Sequence, residues 1–174
     1  MRKNLILLIL VILFVLPGAS AWLLYSHPQW LKAASTNKGT LLKPSPRVNE
    51  LGNRAKWRLI FWQNGDCKKK CLAQLDRLAR IRLALGRRLY EVDEVLLQPV
   101  QSHTNDVEVD KLLQEHDIRV MHLPMARQDP VLADKAQFFI ASPDNYLVLK
   151  YPVQVKSEAI YQDIKKLLNN PGSR

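Results

Sequence analysis

A strand-like run, Trp57-Arg58-Leu59-Ile60-Phe61-Trp62, gives way to a helical pattern beginning near Cys71, and the only two cysteines of the 174-residue chain stand at the junction. They enclose three lysines, Cys67-Lys68-Lys69-Lys70-Cys71. A strand that feeds a helix points to a layered α/β arrangement. It also sets the chemistry at the junction. A helix N-terminus stabilises anions, so a thiol placed there favours its thiolate form. The lysines push the same way, and only Asp66 opposes them.

The first 25 residues decide where that chemistry takes place. Arg2 and Lys3 precede a run from Leu5 to Tyr25 that carries no charge. At about 20 residues it is long enough to span the hydrocarbon of a bilayer. It has no polar face, which argues against a buried core helix. The two basic residues are expected to stay cytoplasmic, so that the remainder faces outward with Trp22 and Tyr25 at the outer interface. Ala19-Ser20-Ala21 also fits the small-x-small site of a cleaved signal peptide. The apolar run continues past that site, which favours an uncleaved signal-anchor, a transmembrane helix over residues 1–25. Either way, the bulk of the protein leaves the cytoplasm.

Lys and Arg number 26 against 16 Asp and Glu, a net charge of +10. Such a balance suits nucleic acid, anionic lipid or an acidic protein. Export argues against nucleic acid. Removing Arg2 and Lys3 from +10 leaves +8 on the exported part, which suits anionic headgroups or an acidic protein. An apolar content of 47% supports a real core. The length allows one domain plus an appendage.

Residues 26–55 read as a tether, because Ser26-His27-Pro28, Ser35-Thr36-Asn37-Lys38-Gly39 and Lys43-Pro44-Ser45-Pro46 are rich in turn formers. Leu41-Leu42 is an apolar island within it, suited to docking on a domain. The globular pattern covers residues 56–168 and leaves 169–174 as a tail. Trp57 to Gln63 predicts a buried strand. Cys71 to Leu89 predicts a helix with Leu72, Leu75, Leu78, Ala79, Leu85 and Leu89 inward and Arg77, Arg80, Arg87 and Arg88 on a solvated face. Val92 to Gln98 predicts a second strand. Val107 to His116 predicts a short helix with Val109, Leu112 and Leu113 inward, capped by Ser102 or Thr104. Ile118 to His122 predicts a third strand. Gln137 to Ala141 and Tyr146 to Tyr151 flank the turn formers Ser142-Pro143-Asp144-Asn145 and predict a hairpin. Glu158 to Leu168 predicts a closing amphipathic helix. The order strand, helix, strand, helix, strand, hairpin, helix matches an α/β thioredoxin-like mixed sheet with helices on both faces.

Two readings of Cys67 and Cys71 compete. A structural disulfide is permitted in an oxidising compartment. A bridge across four residues closes a very small loop and stabilises a fold little, which favours a redox or metal role. C-x2-C suits disulfide exchange. C-x3-C is wider, and two thiolates one helical turn apart reach one soft ion such as Cu(I). Cys67, nearer the loop and exposed, is expected to attack, and Cys71 to resolve.

With its single N-terminal anchor, its exported thioredoxin-like pattern and its C-x3-C after the first core strand, the chain resembles the Sco-type copper chaperones of cytochrome oxidase assembly. Phe138-Phe139-Ile140-Ala141-Ser142-Pro143-Asp144-Asn145-Tyr146-Leu147-Val148 is similar to the Sco hairpin with its Pro-Asp turn. The chain also resembles small membrane proteins that accompany oxidase and haem-A synthesis genes in proteobacteria. Those share Trp57, the Cys pair, Arg82-Leu83-Ala84-Leu85-Gly86 and Asn37-Lys38-Gly39-Thr40-Leu41-Leu42-Lys43-Pro44. The resemblance implies a single-pass protein of the bacterial inner membrane with its C-terminal domain in the periplasm. It implies a cytochrome oxidase subunit or another assembly factor as partner, and copper as Cu(I) at Cys67 and Cys71. Three departures limit it. Leu72 replaces the proline that follows the second Sco cysteine. Ala133-Asp134-Lys135-Ala136 stands where Sco proteins carry a histidine ligand, and Asp134 is a hard, poor Cu(I) ligand. The insertion before the hairpin is shorter.

Of the four histidines, His27 reads as a membrane-surface residue, His116 as a cap of the second helix and His103 as part of a polar loop. His122 ends the third strand, and the ends of parallel strands face the first strand-to-helix turn. It is therefore the candidate base or third metal ligand beside Cys67, with Met121 or Met125 as thioether alternatives. Pro124 is a candidate cis-proline near the thiols. Trp57, Phe61, Trp62, Phe138 and Phe139 read as core. The expected function is assistance to cytochrome c oxidase assembly, by Cu(I) delivery or by thiol reduction of its copper site. The alternatives are a general periplasmic thiol–disulfide oxidoreductase and a non-catalytic docking factor.

Overall fold

A computed structural model describes residues 2–27, 37–52, 54–102, 106–124, 130–132 and 136–169. The chain divides into two compact units, Met1–Thr36 and Asn37–Arg174. In the first, helix α1 (Arg2–Ser26) takes in the whole apolar run and contains Pro17. Its Ile9–Ser26 window has a mean hydropathy of 2.1, and by length and composition the helix is able to cross a membrane.

The second unit is built on a six-stranded mixed sheet in the order β1-β6-β5-β2-β3-β4. The strands are β1 (Thr40–Leu41), β2 (Trp57–Gln63), β3 (Val92–Pro99), β4 (Arg119–Leu123), β5 (Ala136–Ala141) and β6 (Leu147–Pro152). The helices are α2 (Lys69–Leu83), α3 (Val107–Glu115) and α4 (Ser157–Asn169). Strands β2, β3 and β4 run parallel. Strand β5 lies antiparallel to β2 and forms the expected hairpin with β6. Its turn is closed by Asn145 N–H donating to the Ser142 carbonyl at 3.0 Å, with Asn145 at φ 69°. Asparagine tolerates that left-handed conformation better than most residues.

Alternation along the strands divides the core in two. Leu59, Phe61, Leu96, Phe138, Ile140 and Tyr151 point to one face, where Leu75, Leu78 and Ile81 of α2, Val109 and Leu113 of α3, and Ile160 and Ile164 of α4 cover them. Ile60, Trp62, Val95, Leu97, Phe139 and Leu147 point to the other, where Val48, Leu51 and Leu132 pack. Among the described residues the three domain helices therefore share one face, rather than lying on both as expected. The second face is covered by the segment before β2 and by the turn at Pro130–Leu132.

That segment was expected to be tether. Instead Thr40–Leu41 extends the sheet as β1, paired with Leu149 and Lys150. Lys38 and Gly39 donate their backbone N–H groups to Asp163 Oδ2 at 2.7 and 2.8 Å. Val48 N–H donates to the Asn145 carbonyl at 2.9 Å, and Leu51 is fully buried.

Helix boundaries shift where the capping chemistry is unusual. Helix α2 begins at Lys69 rather than Cys71 and stops at Leu83, before Gly86 (φ 59°) leads into a 3-10 turn over Gly86–Glu91. In α3 the cap is Asp106, which accepts from Glu108 N–H at 3.0 Å, rather than Ser102. Thr104 lies outside the described residues. His116 ends α3 as expected. The arginines of α2 are not all on a solvated face. Arg77 donates to Ser157 Oγ and the Val153 carbonyl, both at 2.8 Å, and lies over the Phe138 ring. Arg88 reaches the Leu168 carbonyl at 2.6 Å. These contacts fasten α2 and the turn after it to the C-terminal segment.

Candidate functional site

Strand β2 ends at Gln63, and after Asn64, Gly65 and Asp66 the chain reaches Cys67. Lys68 is the N-cap of α2, so Cys67 lies just outside the helix and Cys71 is its third residue. The helix opens with Cys71 and Leu72 N–H groups donating to the Lys68 carbonyl at 2.8 and 3.0 Å. The two cysteines are joined as a disulfide with Cα atoms 5.1 Å apart. Both pack in the helix-side core, and Cys67 is only 2% exposed, against the expectation that it is the exposed thiol. In the connection from β2, Gly65 takes φ 118°, a conformation that favours glycine.

The start of α2 violates the usual chemistry of helix N-termini. No side chain caps it, and its first turn holds no acidic residue. Lys68, Lys69 and Lys70 are all exposed there. Cations at the positive end of a helix dipole are unfavourable. The same charges favour an anionic sulfur once the disulfide opens. Beside Cys67 runs an open groove of about 730 Å³, lined by Asp66, Cys67, Lys68 and Lys69 on one side and by Asp106, Val107 and Glu108 on the other.

The family described as transmembrane-like, thioredoxin-like, C-terminal domain matches residues 57–170. The chain belongs to that family. The match spans the thioredoxin-like sheet from β2 onward and the three helices upon it. No curated protein matches the sequence. Among solved structures it is similar to apo Sco1 from Thermus thermophilus, at 16% identity, TM-score 0.54, covering 76% of this chain and 97% of that one. Yeast Sco1 aligns at 13% identity, TM-score 0.50, over 69% and 84%. Copper-bound ScoI of Bradyrhizobium japonicum aligns at 16% identity, TM-score 0.45, over 68% and 89%. At these identities the likeness is one of fold.

Within this thioredoxin-like domain His122 and the two cysteines stand on different elements. His122 sits on β4, two strands from β2, is exposed, and has Nδ1 3.4 Å from the Pro99 carbonyl. Among the described residues no three His, Cys, Asp or Glu side chains gather as a metal site. Met121 is excluded as a thioether ligand by strand alternation, because it packs on the opposite face from the cysteines. The peptide before Pro124 is trans. His103, Met125 and Asp134 lie outside the described residues.

Sequence reasoning missed Gln98. It is fully buried on the cysteine face of β3, and its Nε2 donates to the Gly65 carbonyl at 3.0 Å, holding the loop that leads to Cys67. A polar residue at an inward position of an apolar strand was the available signal. Glu94 and Arg58 are also buried. Glu94 is 1% exposed with neither carboxylate oxygen hydrogen-bonded, and burial pushes its pKa up from 4.5 to about 7. Arg58 is fully buried and donates to the carbonyls of Ser142, Gly52 and Arg54.

Proposed function

We propose that this is a single-pass protein of the bacterial inner membrane. Its thioredoxin-like domain, on the periplasmic side, serves cytochrome c oxidase assembly by reducing the cysteines of a copper-binding subunit. The observation that carries this reading is the Cys67–Cys71 pair at an uncapped, lysine-rich helix start. A helix begun with three cations and no cap gives up local stability, which is expected where a local rule is sacrificed to chemistry. The Sco resemblance supplies the oxidase context, and the apolar helix α1 supplies the anchor.

In the reduced protein Cys67 attacks a sulfur of the partner's disulfide and forms a mixed disulfide. Cys71, held in the first turn of α2, then attacks Cys67 Sγ and releases the partner as a dithiol. The helix dipole and the lysines lower the energy of each thiolate as it forms. A thiol reductant of the compartment restores Cys67 and Cys71.

Copper enters the second reading as cargo. The two soft sulfurs, with Cα atoms 5.1 Å apart, suit one Cu(I) ion between them. Cys67 and Cys71 are the donors this reading rests on. Two measurements separate the readings. Equilibration of the full chain with glutathione buffers is expected to give a reversible two-electron transition that disappears in Cys67→Ser and Cys71→Ser. Cu(I) titration of the reduced protein against a competing chelator tests the cargo reading, and tight one-to-one binding lost in the same variants would establish it. Oxidase assembly that survives loss of both cysteines would leave only a docking role.

A further inference from the structure

Cys67 is 2% exposed, and it lines the groove at the head of α2, which gives a partner sulfur a way to it. The two walls of that groove differ in sign. On one stand Lys68 and Lys69 beside Asp66, and on the other Asp106 and Glu108. The acidic wall has a structural reason, because Asp106 caps α3 and Glu108 sits in its first turn. The basic wall has none, since lysines at the start of α2 oppose its dipole. On the acidic wall Val107 is 82% exposed, an apolar side chain beside the groove.

We propose that this groove binds an extended polypeptide segment bearing cysteines, with an acidic residue on the side toward Lys68 and Lys69 and a basic residue on the side toward Glu108. The inference rests on the thiol-exchange reading and names its substrate class. The exchange balances in either direction. Run from the oxidised protein, a peptide thiolate attacks Cys67 Sγ, the Cys67–Cys71 bond breaks, and Cys71 leaves as thiolate and takes a proton from water. The peptide's second thiolate then attacks the peptide sulfur of the mixed disulfide and releases Cys67. The protein gains two electrons, and the peptide loses two and ends as a disulfide.

The test uses the oxidised full chain in detergent and four dithiol peptides of equal length. Their two flanks are acid–acid, base–base, acid–base and base–acid. One of the two mixed orders is expected to reduce the protein about fivefold faster than either uniform peptide, the factor that one close ion pair near water supplies. The advantage is expected to shrink when salt is raised from low to about 0.5 M. Glu108→Lys is expected to transfer the preference to the acid–acid peptide, and Glu108→Gln to weaken it. Equal rates for all four peptides would overturn the groove proposal and leave thiol exchange standing. A preference untouched by both Glu108 substitutions would also overturn it. No reduction by any peptide would overturn both the groove and the thiol-exchange reading.

Discussion

Glu94 makes the stability of the domain depend on pH. Its carboxyl lies on the helix side of β3 with no hydrogen-bond partner, and burial is the main reason its pKa rises to about 7. Arg82 pulls it back down and Asp117 pushes it further up. A raised carboxyl pKa means that folding favours the neutral form. The contribution is therefore fully present below about pH 4.5 and is lost as pH rises through about 7. Between pH 5 and pH 8 the wild type is expected to lose about 2–3 kcal/mol, read from urea midpoints. Glu94→Gln is expected to flatten that slope. An equal slope in the variant would remove Glu94 as its source.

A single carboxylate fixes how the strand before the core is held. Asp163 of α4 is 1% exposed, and its Oδ2 accepts from Lys38 and Gly39 N–H and from the Tyr151 hydroxyl at 2.9 Å. Burial and the neighbouring Asp163 push the Tyr151 pKa up, so the hydroxyl stays protonated and remains a donor. Gly39 lies so close to the Tyr151 ring that an added Cβ would fall 2.4 Å from it. Asp163→Ala leaves three donors without their acceptor and is expected to cost about 3 kcal/mol, with faster hydrogen exchange at Lys38 and Gly39. Gly39→Ala is expected to loosen the same amides, because the buried ring has no free space to yield. Unchanged exchange in both variants would show that β1 is held by its sheet pairing alone.

At the scale of the molecule, two cuts distinguish the folding unit from the tether. A chain beginning at Asn37 keeps β1, the Asp163 contacts, Val48 and Leu51, and is expected to melt as the full-length domain does. One beginning at Lys56 loses all of these and is expected to melt at least 10 °C lower or to aggregate, because the buried Leu51 and Val48 leave a face of the sheet uncovered. Equal melting of the two would mean that the segment adds nothing. The disulfide is expected to matter much less. Loop-closure entropy for so short a bridge gives roughly 2 kcal/mol at most. Cys67→Ser with Cys71→Ser is therefore expected to keep the far-UV spectrum while activity disappears, and unfolding of that variant would mark the bridge as structural.

Local pattern by itself determined the element types, the hairpin, the apolar helix and the pair of cysteines at the strand-to-helix turn. Each of these is a short-range property. Strand alternation, helical spacing, turn residues and a rare residue type are all readable within a few positions. What only the tertiary structure decided depends on contacts between distant residues. The placing of three helices on one face is one such result, and the pairing of Thr40–Leu41, within the expected tether, as an edge strand is another. Lys38 and Gly39 find Asp163 more than a hundred residues away, and no local signal marks that meeting. Gln98 on β3 holds Gly65 in the loop after the neighbouring β2, and His122 is carried to an exposed sheet edge by the strand order. Cys67 looked exposed because it sat in a loop; packing in the helix-side core buried it.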